Sequence, residues 1–277
     1  MELRVKDRLT AALADLWFRL DARHRKITLR NLEFAYGPSL SPEERERLAR
    51  AVFRHFVRFA WEAVELMVAP LGHIRRKTVI LGEEHVRAAL AQGKGFVAVA
   101  AHAGNWEYTV MGYGLKYRPV AVVGREMDSP LGQRLARYLR QRGGNWLVGK
   151  QEGLKGILRH LQQNHVVGIV IDQNTAESGG LLVDFFGKPA RTTPVAALLA
   201  RRGVPVLPVL SRRLPSGRHL MMIYPPLALE KTGDAEADIR RHLELQSRYI
   251  EAWVRAEPSQ WLWLHRRWKN QFPELYE

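Results

Sequence analysis

The chain has 277 residues, 46% of them hydrophobic, which is enough for one large α/β domain preceded by helices rather than two separate domains. It has no cysteine, so disulfides, a thiol nucleophile and cysteine metal sites are excluded. A formal net charge of +15 points to acidic partners: anionic lipid, an acidic carrier protein or nucleic acid.

From the N-terminus, Leu9, Ala12, Leu13, Leu16, Trp17 and Leu20 recur at helical spacing while Arg8, Asp15 and Arg19 interrupt the apolar run. The pattern predicts an amphipathic helix lying on a membrane or on the protein, not a signal peptide or a span. Ser41, Pro42 and Glu44 have the spacing of a helix start with a capping box, and the helix is expected to run to about Met67. Along it, Arg47, Arg50, Arg54 and Arg58 lie opposite Leu48, Val52, Phe56, Phe59, Ala63 and Leu66, a stripe that faces water or lipid phosphates. Residues 72–78 read as a linker to the sheet.

The run from Phe96 to Ala101 is short and apolar and follows Gly93-Lys94-Gly95, as an interior strand does. His102 falls at its carboxyl end, where open α/β sheets bind ligands. In one continuous helix His102 and Glu107 would lie roughly 140° apart. Gly104 permits a tight turn instead, with a helix starting near Asn105 that returns the carboxylate to the imidazole. Such a pair is a general base: the ring takes a proton from a hydroxyl and the carboxylate fixes its tautomer. The alternative is a turn histidine and a glutamate that merely favours the helix N-terminus.

Further along, residues 119–123 form a second strand that delivers Gly124-Arg125 to the same edge, and Arg125 suits an anionic group or a surface ion pair. Ser129-Pro130 starts a helix, and five basic residues with no acid between Ser129 and Gln151 offer a face for a carrier protein or for solvent. Residues 166–171 are a strand that places Asp172-Gln173-Asn174 at a cleft or in a turn. Thr193-Pro194 begins another helix, and seven basic residues lie between Asp184 and Glu230 without a carboxylate, a field that favours phosphate. Residues 204–210 and 219–224 read as strands, the first at a sheet edge because of Pro205 and Pro208. Residues 234–255 are helical. The run Trp261–Lys269 mixes indoles with cations as interfacial segments do, or packs on the domain with its arginines outward.

Six segments together resemble the bacterial lipid A biosynthesis (late, lauroyl/myristoyl-type) acyltransferases of the His-x4-Asp/Glu glycerolipid acyltransferase superfamily. They are Arg25–Leu32, His102–Glu107, Gly124-Arg125, Asp172–Asn174, Val183–Thr192 and Trp261–Lys269, in the family's order over about residues 25–269. The resemblance implies a mixed, largely parallel central sheet flanked by helices, with residues 1–75 as a helical membrane-association segment and 76–277 as the catalytic region, one structural unit. It implies transfer of a fatty acyl chain from a thioester to a hydroxyl of a membrane glycolipid. The favoured acceptor is a Kdo-bearing lipid A precursor, and another polar lipid such as a phosphatidylinositol mannoside is the alternative. Catalysis falls to His102, oriented by Glu107, and substrate binding to Asn105, Arg125, Asp172, Gln173, Phe186, Gly187 and Thr192. No cofactor and no metal are expected. The donor is acyl carrier protein, favoured by the basic charge, or acyl-coenzyme A. The expected location is the cytoplasmic face of the bacterial inner membrane, peripheral or N-terminally anchored.

Other classes lack support in the residues. None of the eight serines lies in Gly-x-Ser-x-Gly, and no His-Glu-x-x-His occurs among the ten scattered histidines. No zinc-finger or RRM motif accompanies the charge, so nucleic acid is not an expected partner. A non-catalytic lipid-binding homologue is disfavoured by the intact His102 and Glu107.

Overall fold

Polar caps set where the N-terminal helices begin. A computed structural model describes residues 2–124, 129–149 and 152–277. Helix α1 (Glu2–Leu20) leads into α2 (Ala22–Tyr36), capped by Asp21, which accepts from the His24 amide at 3.0 Å. Helix α3 (Pro42–Val68) starts with the expected capping box: Ser41 Oγ accepts from the Glu44 amide and Glu44 Oε2 from the Ser41 amide. The stretch expected to be a linker is mostly a helix, α4 (Leu71–Lys77), because Pro70 supplies its N-cap and no proline follows to interrupt the run.

Helix α1 runs antiparallel along α3, with Asp7 on Arg58 at 2.8 Å and Asp15 on Arg50 at 3.4 Å. Phe53 of α3 receives Trp17 and Phe18 with ring centroids 4.5 and 5.1 Å away. Half of the α3 arginine stripe therefore joins the two helices, while Arg47 and Arg54 stay exposed. Leu9, Leu13, Leu16 and Leu20 remain exposed on the outer face of α1. No helix among the described residues is long and apolar enough to cross a membrane.

The central sheet has seven strands: β1 (Thr78–Leu81), β2 (Phe96–Ala100), β3 (Val120–Val123), β4 (Trp146–Val148), β5 (Val166–Val170), and two more from the C-terminal half. Between these strands lie α5 (Glu83–Leu90), α6 (Trp106–Lys116), α7 (Pro130–Arg142) and α8 (Gly153–Gln162). After β5 come a separate hairpin, β6 (Leu181–Phe185) and β7 (Lys188–Thr192), then α9 (Val195–Arg201), β8 (Val206–Arg213), β9 (His219–Ile223) and α10 (Ala235–Ala256). The sheet order is β1-β9-β8-β2-β5-β3-β4, and only β8 and β9 pair antiparallel, so the sheet is mixed and largely parallel.

Strand β8 is interior, not the edge strand its prolines suggest. It pairs with β2 through Val206–Pro208 and with β9 through Val209–Arg213. Pro208 sits where the strand changes partners, so its missing N–H falls at the end of the β9 ladder and costs little.

Alternation along β2 and β5 makes the two sheet faces different. Val97, Val99, Val167 and Ile169 point into the main core, which also takes in Ala14, Phe18, Leu32, Val52 and Phe53 of the N-terminal helices. The C-terminal run closes this core. Trp261, Trp263 and Trp268 are fully buried, so the indoles that resemble an interfacial belt are core residues, each worth about 150–250 Å² of burial.

Candidate active site

On the opposite face, β2 presents Phe96, Ala98 and Ala100, and β5 presents Gly168 and Val170. These small central side chains leave a cavity of about 550 Å³ under α6, roofed by Trp106, Val110 and Tyr113. It runs from Phe96 at the start of β2 to His102 just past its end. Its wall is apolar along the strands and turns polar at their carboxyl ends, where His102, Glu107, Arg140 and Gln173 form the mouth.

The turn after β2 is fixed from two sides. The Gly104 amide donates to the Gln260 carbonyl at 2.9 Å, and the Leu262 amide donates to the His102 carbonyl at 3.2 Å. Gly104 has φ of +59°, and a Cβ there would lie 2.4 Å from the Ser211 carbonyl oxygen, so only glycine fits. Asn105 then caps α6, accepting from the Tyr108 amide at 2.9 Å.

His102 Nδ1 lies 2.7 Å from Asp172 Oδ1. The other oxygen of Asp172 accepts from the His102 amide and from Trp261 Nε1, each at 2.7 Å. The carboxylate therefore holds Nδ1–H and leaves the lone pair on Nε2. Burial pushes the His102 ring toward neutrality, but the facing Asp172 carboxylate outweighs it and raises the pKa above the ordinary imidazole value. Burial likewise raises Asp172, and its three donors more than reverse this, keeping it ionised.

Glu107 occupies a different place from the one expected. Asp172 fills the position on the imidazole, and Glu107 instead pairs with Arg140, which donates through Nε to Oε2 at 2.9 Å and through Nη2 to Oε1. Trp106 Nε1 adds a third donor at 3.1 Å. The third guanidinium nitrogen, Arg140 Nη1, is buried at the mouth with no partner among the described residues.

The remaining sequence-predicted residues divide. Gln173 lines the mouth, and its carbonyl accepts from Arg267 Nη1 at 2.8 Å. Asn105 is buried beneath the turn and donates to Glu62 Oε2 at 2.7 Å. Phe186 is packed against Tyr36, Trp263 and Arg255; Gly187 forms the tip of the β6–β7 hairpin; and neither lines the cavity. Thr192 is buried and accepts from Arg267 Nη2. Arg125 lies outside the described residues. On α7, Arg134 and Arg137 are exposed, whereas Arg140 and Arg142 are spent on Glu107 and on the Leu66 and Ala69 carbonyls.

Three contributors escaped the sequence reading. Arg140 is one of four arginines on α7 with nothing local to single it out. Trp261 reads equally as interfacial or as packed on the domain, and nothing local ties it to Asp172. The third is a buried pair: Arg213 grips Glu62 through Nε and Nη2, at 2.5 and 2.6 Å, and contacts His55 Nδ1 at 2.7 Å. His55 Nε2 in turn lies 3.1 Å from the Gly104 carbonyl. The cavity did have a sequence signal, the small residues Ala98, Ala100 and Gly168 set among bulkier ones in β2 and β5.

Residues 1–270 match the protein family described as bacterial lipid A biosynthesis acyltransferase. The chain is 29% identical over 270 residues to the lipid A biosynthesis lauroyltransferase of Escherichia coli (strain K12), covering 95% of this chain and 85% of that one. It is 30% identical over 203 residues to the phosphatidylinositol mannoside acyltransferase of Mycobacterium tuberculosis (strain CDC 1551 / Oshkosh), covering 71% and 61%. Among solved structures, the 1-acyl-sn-glycerophosphate acyltransferase PlsC of Thermotoga maritima is similar with a TM-score of 0.41 and 16% identity, over 87% of this chain and 98% of that one.

Proposed function

The chain belongs to the bacterial lipid A biosynthesis acyltransferase family, and from that premise we propose that it moves a fatty acyl chain from a thioester to a hydroxyl of a lipid A precursor. An acyltransferase of this family takes an acyl donor and a lipid acceptor. Acyl carrier protein is the favoured donor here, because such a carrier is acidic and this chain carries +15.

The observation that carries this reading is a histidine–aspartate pair at the mouth of an apolar cavity long enough for an acyl chain. His102 Nε2 takes the proton of the acceptor hydroxyl while Asp172 stabilises the imidazolium. The acceptor oxygen forms its bond to the thioester carbonyl carbon. The tetrahedral intermediate then collapses by breaking the carbon–sulfur bond, and the imidazolium returns its proton to the departing thiolate. No acyl-enzyme is required. Arg140, held in place by Glu107, offers Nη1 to the developing oxyanion or to a lipid phosphate. Glu107 thereby acts through Arg140 as a positioning residue, while Asp172 takes the orienting role.

Membrane association fits the exposed Leu9, Leu13, Leu16 and Leu20 on α1, which suit the surface of a bilayer on its cytoplasmic face. Residues 1–75 then serve as the docking segment of a single unit with the catalytic region.

The test is mass spectrometry of purified protein with acyl carrier protein and coenzyme A thioesters and a Kdo-bearing lipid A precursor, beside His102→Ala. A product heavier by one acyl group, absent in the variant, is the expected result, and near-normal transfer by His102→Ala would overturn the assignment. The similarity to a phosphatidylinositol mannoside acyltransferase supports a second acceptor class. Product formation only with the mannoside would select it.

A further inference from the structure

Tyr113 lies on α6 seven residues after Trp106, two helical turns or about 10 Å deeper beneath the sheet. Its ring lines the cavity that opens at His102. The same side chain also lines a second hollow of about 360 Å³, walled by α5 and the end of α6 with Val86, Leu90, Lys116 and Arg118. Tyr113 is therefore a partition between the cavity at His102 and a smaller hollow whose wall mixes apolar with charged side chains.

The chemistry of the partition is unusual for a residue placed only for packing. Tyr113 is 3% exposed, and its hydroxyl is buried with no hydrogen-bond partner among the described residues. Burial pushes the phenol up to about 12, so it is neutral at any physiological pH. A phenylalanine would fill the core position without an orphaned hydroxyl. What the position requires is the length and rigidity of the ring. Phe96, Val166 and Ile223 complete the apolar wall, and beyond Tyr113 the wall mixes Val86 and Leu90 with Glu83, Arg87, Lys116 and Arg118.

Resting on the reading of the cavity as the acyl pocket, we propose that Tyr113 is the chain-length determinant of this enzyme. Its ring closes the inner end of the cavity and sets the longest acyl chain that reaches His102 in register. An acyl chain gains about fourfold in binding for each methylene it buries. Once its end meets the ring, a further methylene has to displace packed atoms, and the gain reverses. Removing the ring joins the two hollows, and enlarging it shortens the first.

The experiment compares wild type, Tyr113→Ala, Tyr113→Phe and Tyr113→Trp with saturated acyl thioesters of stepwise increasing length. The thioesters are presented on acyl carrier protein and on coenzyme A. Native mass spectrometry with the matching free fatty acids gives a binding readout independent of turnover. Wild type is expected to show kcat/KM rising with length to a limit and then falling about tenfold or more. The limit moves to longer chains in Tyr113→Ala, to shorter chains in Tyr113→Trp, and stays in place in Tyr113→Phe. Shifts in opposite directions do not arise from misfolding. A wild-type limit that neither Tyr113→Ala nor Tyr113→Trp moves overturns the assignment of Tyr113 alone. No limit in wild type by either readout overturns the acyl-pocket reading beneath it.

Discussion

Trp261 and Asp172, 89 positions apart, meet through a single hydrogen bond: the indole Nε1 donates to carboxylate Oδ2 at 2.7 Å. The C-terminal run thereby reaches the carboxylate that orients His102. Hydrogen bonds to buried charge are worth about 1.5–3 kcal/mol, so Trp261→Phe is expected to cost that much stability. Thermal unfolding checks this, with a fall of roughly 2–4 °C for each kcal/mol in a chain of this size. Transfer activity is expected to fall further than stability does, because the ring of His102 loses part of its support.

Asp172→Asn tests the base directly. In wild type the carboxylate holds the His102 pKa above its ordinary value, and the base works only when neutral. Activity therefore rises with pH through that elevated pKa. In the variant that charge is gone, and burial and Arg140, which lower the pKa, face only the smaller raising effect of Glu107. The acid limb of the pH–rate profile should move to lower pH while the plateau drops by about 10⁴-fold, the scale on which loss of an orienting aspartate acts. An acid limb that stays in place would show that Asp172 does not set the titration.

How far the sequence discloses this site depends on the range of each contact. The strand ending at His102, the turn at Gly104 and the capping box at Ser41 are local, and each is written in neighbouring residues. Asp172 was visible as a polar group after a strand, but its pairing with His102 depends on β2 and β5 lying side by side in register. A spacing motif gave that role to Glu107, five residues away, and gave no sign of Arg140, which claims Glu107 from another helix. The C-terminal indoles are ambiguous in the sequence for a related reason. Interfacial and core tryptophans have the same composition, and only the packing of Phe185 against Trp261 and of Phe34 against Trp268 separates them.

Arg140→Lys should retain charge yet lose the forked grip on Glu107 and the spare Nη1 donor. Loss of one oxyanion donor lowers kcat by about 10²–10³-fold. The variant is expected to show that fall in kcat with little change in KM for the donor, while Glu107→Gln, which weakens only the positioning pair, falls less. Steady-state kinetics on both variants decide it. A larger effect from Glu107→Gln than from Arg140→Lys would place the chemistry on Glu107 instead.

The buried pair Arg213–Glu62 gives the sharpest stability prediction, because it links α3, β8 and the catalytic turn. Glu62 faces both Arg213 and the cap residue Asn105, and it is 7% exposed. Burial alone would raise its pKa, but Arg213 reverses this and keeps it ionised. Glu62→Leu leaves the Arg213 guanidinium buried and uncompensated, which costs about 3–5 kcal/mol. Asn105 also loses its acceptor, so α6 begins from a weakened cap and transfer activity falls with stability. Replacing both partners by apolar residues, Glu62→Leu with Arg213→Met, removes the stranded charge. Chemical denaturation of the double variant should therefore show a smaller loss than either single variant, a non-additivity expected of contacting groups. Losses that simply add would mean that the pair contributes through packing rather than through charge.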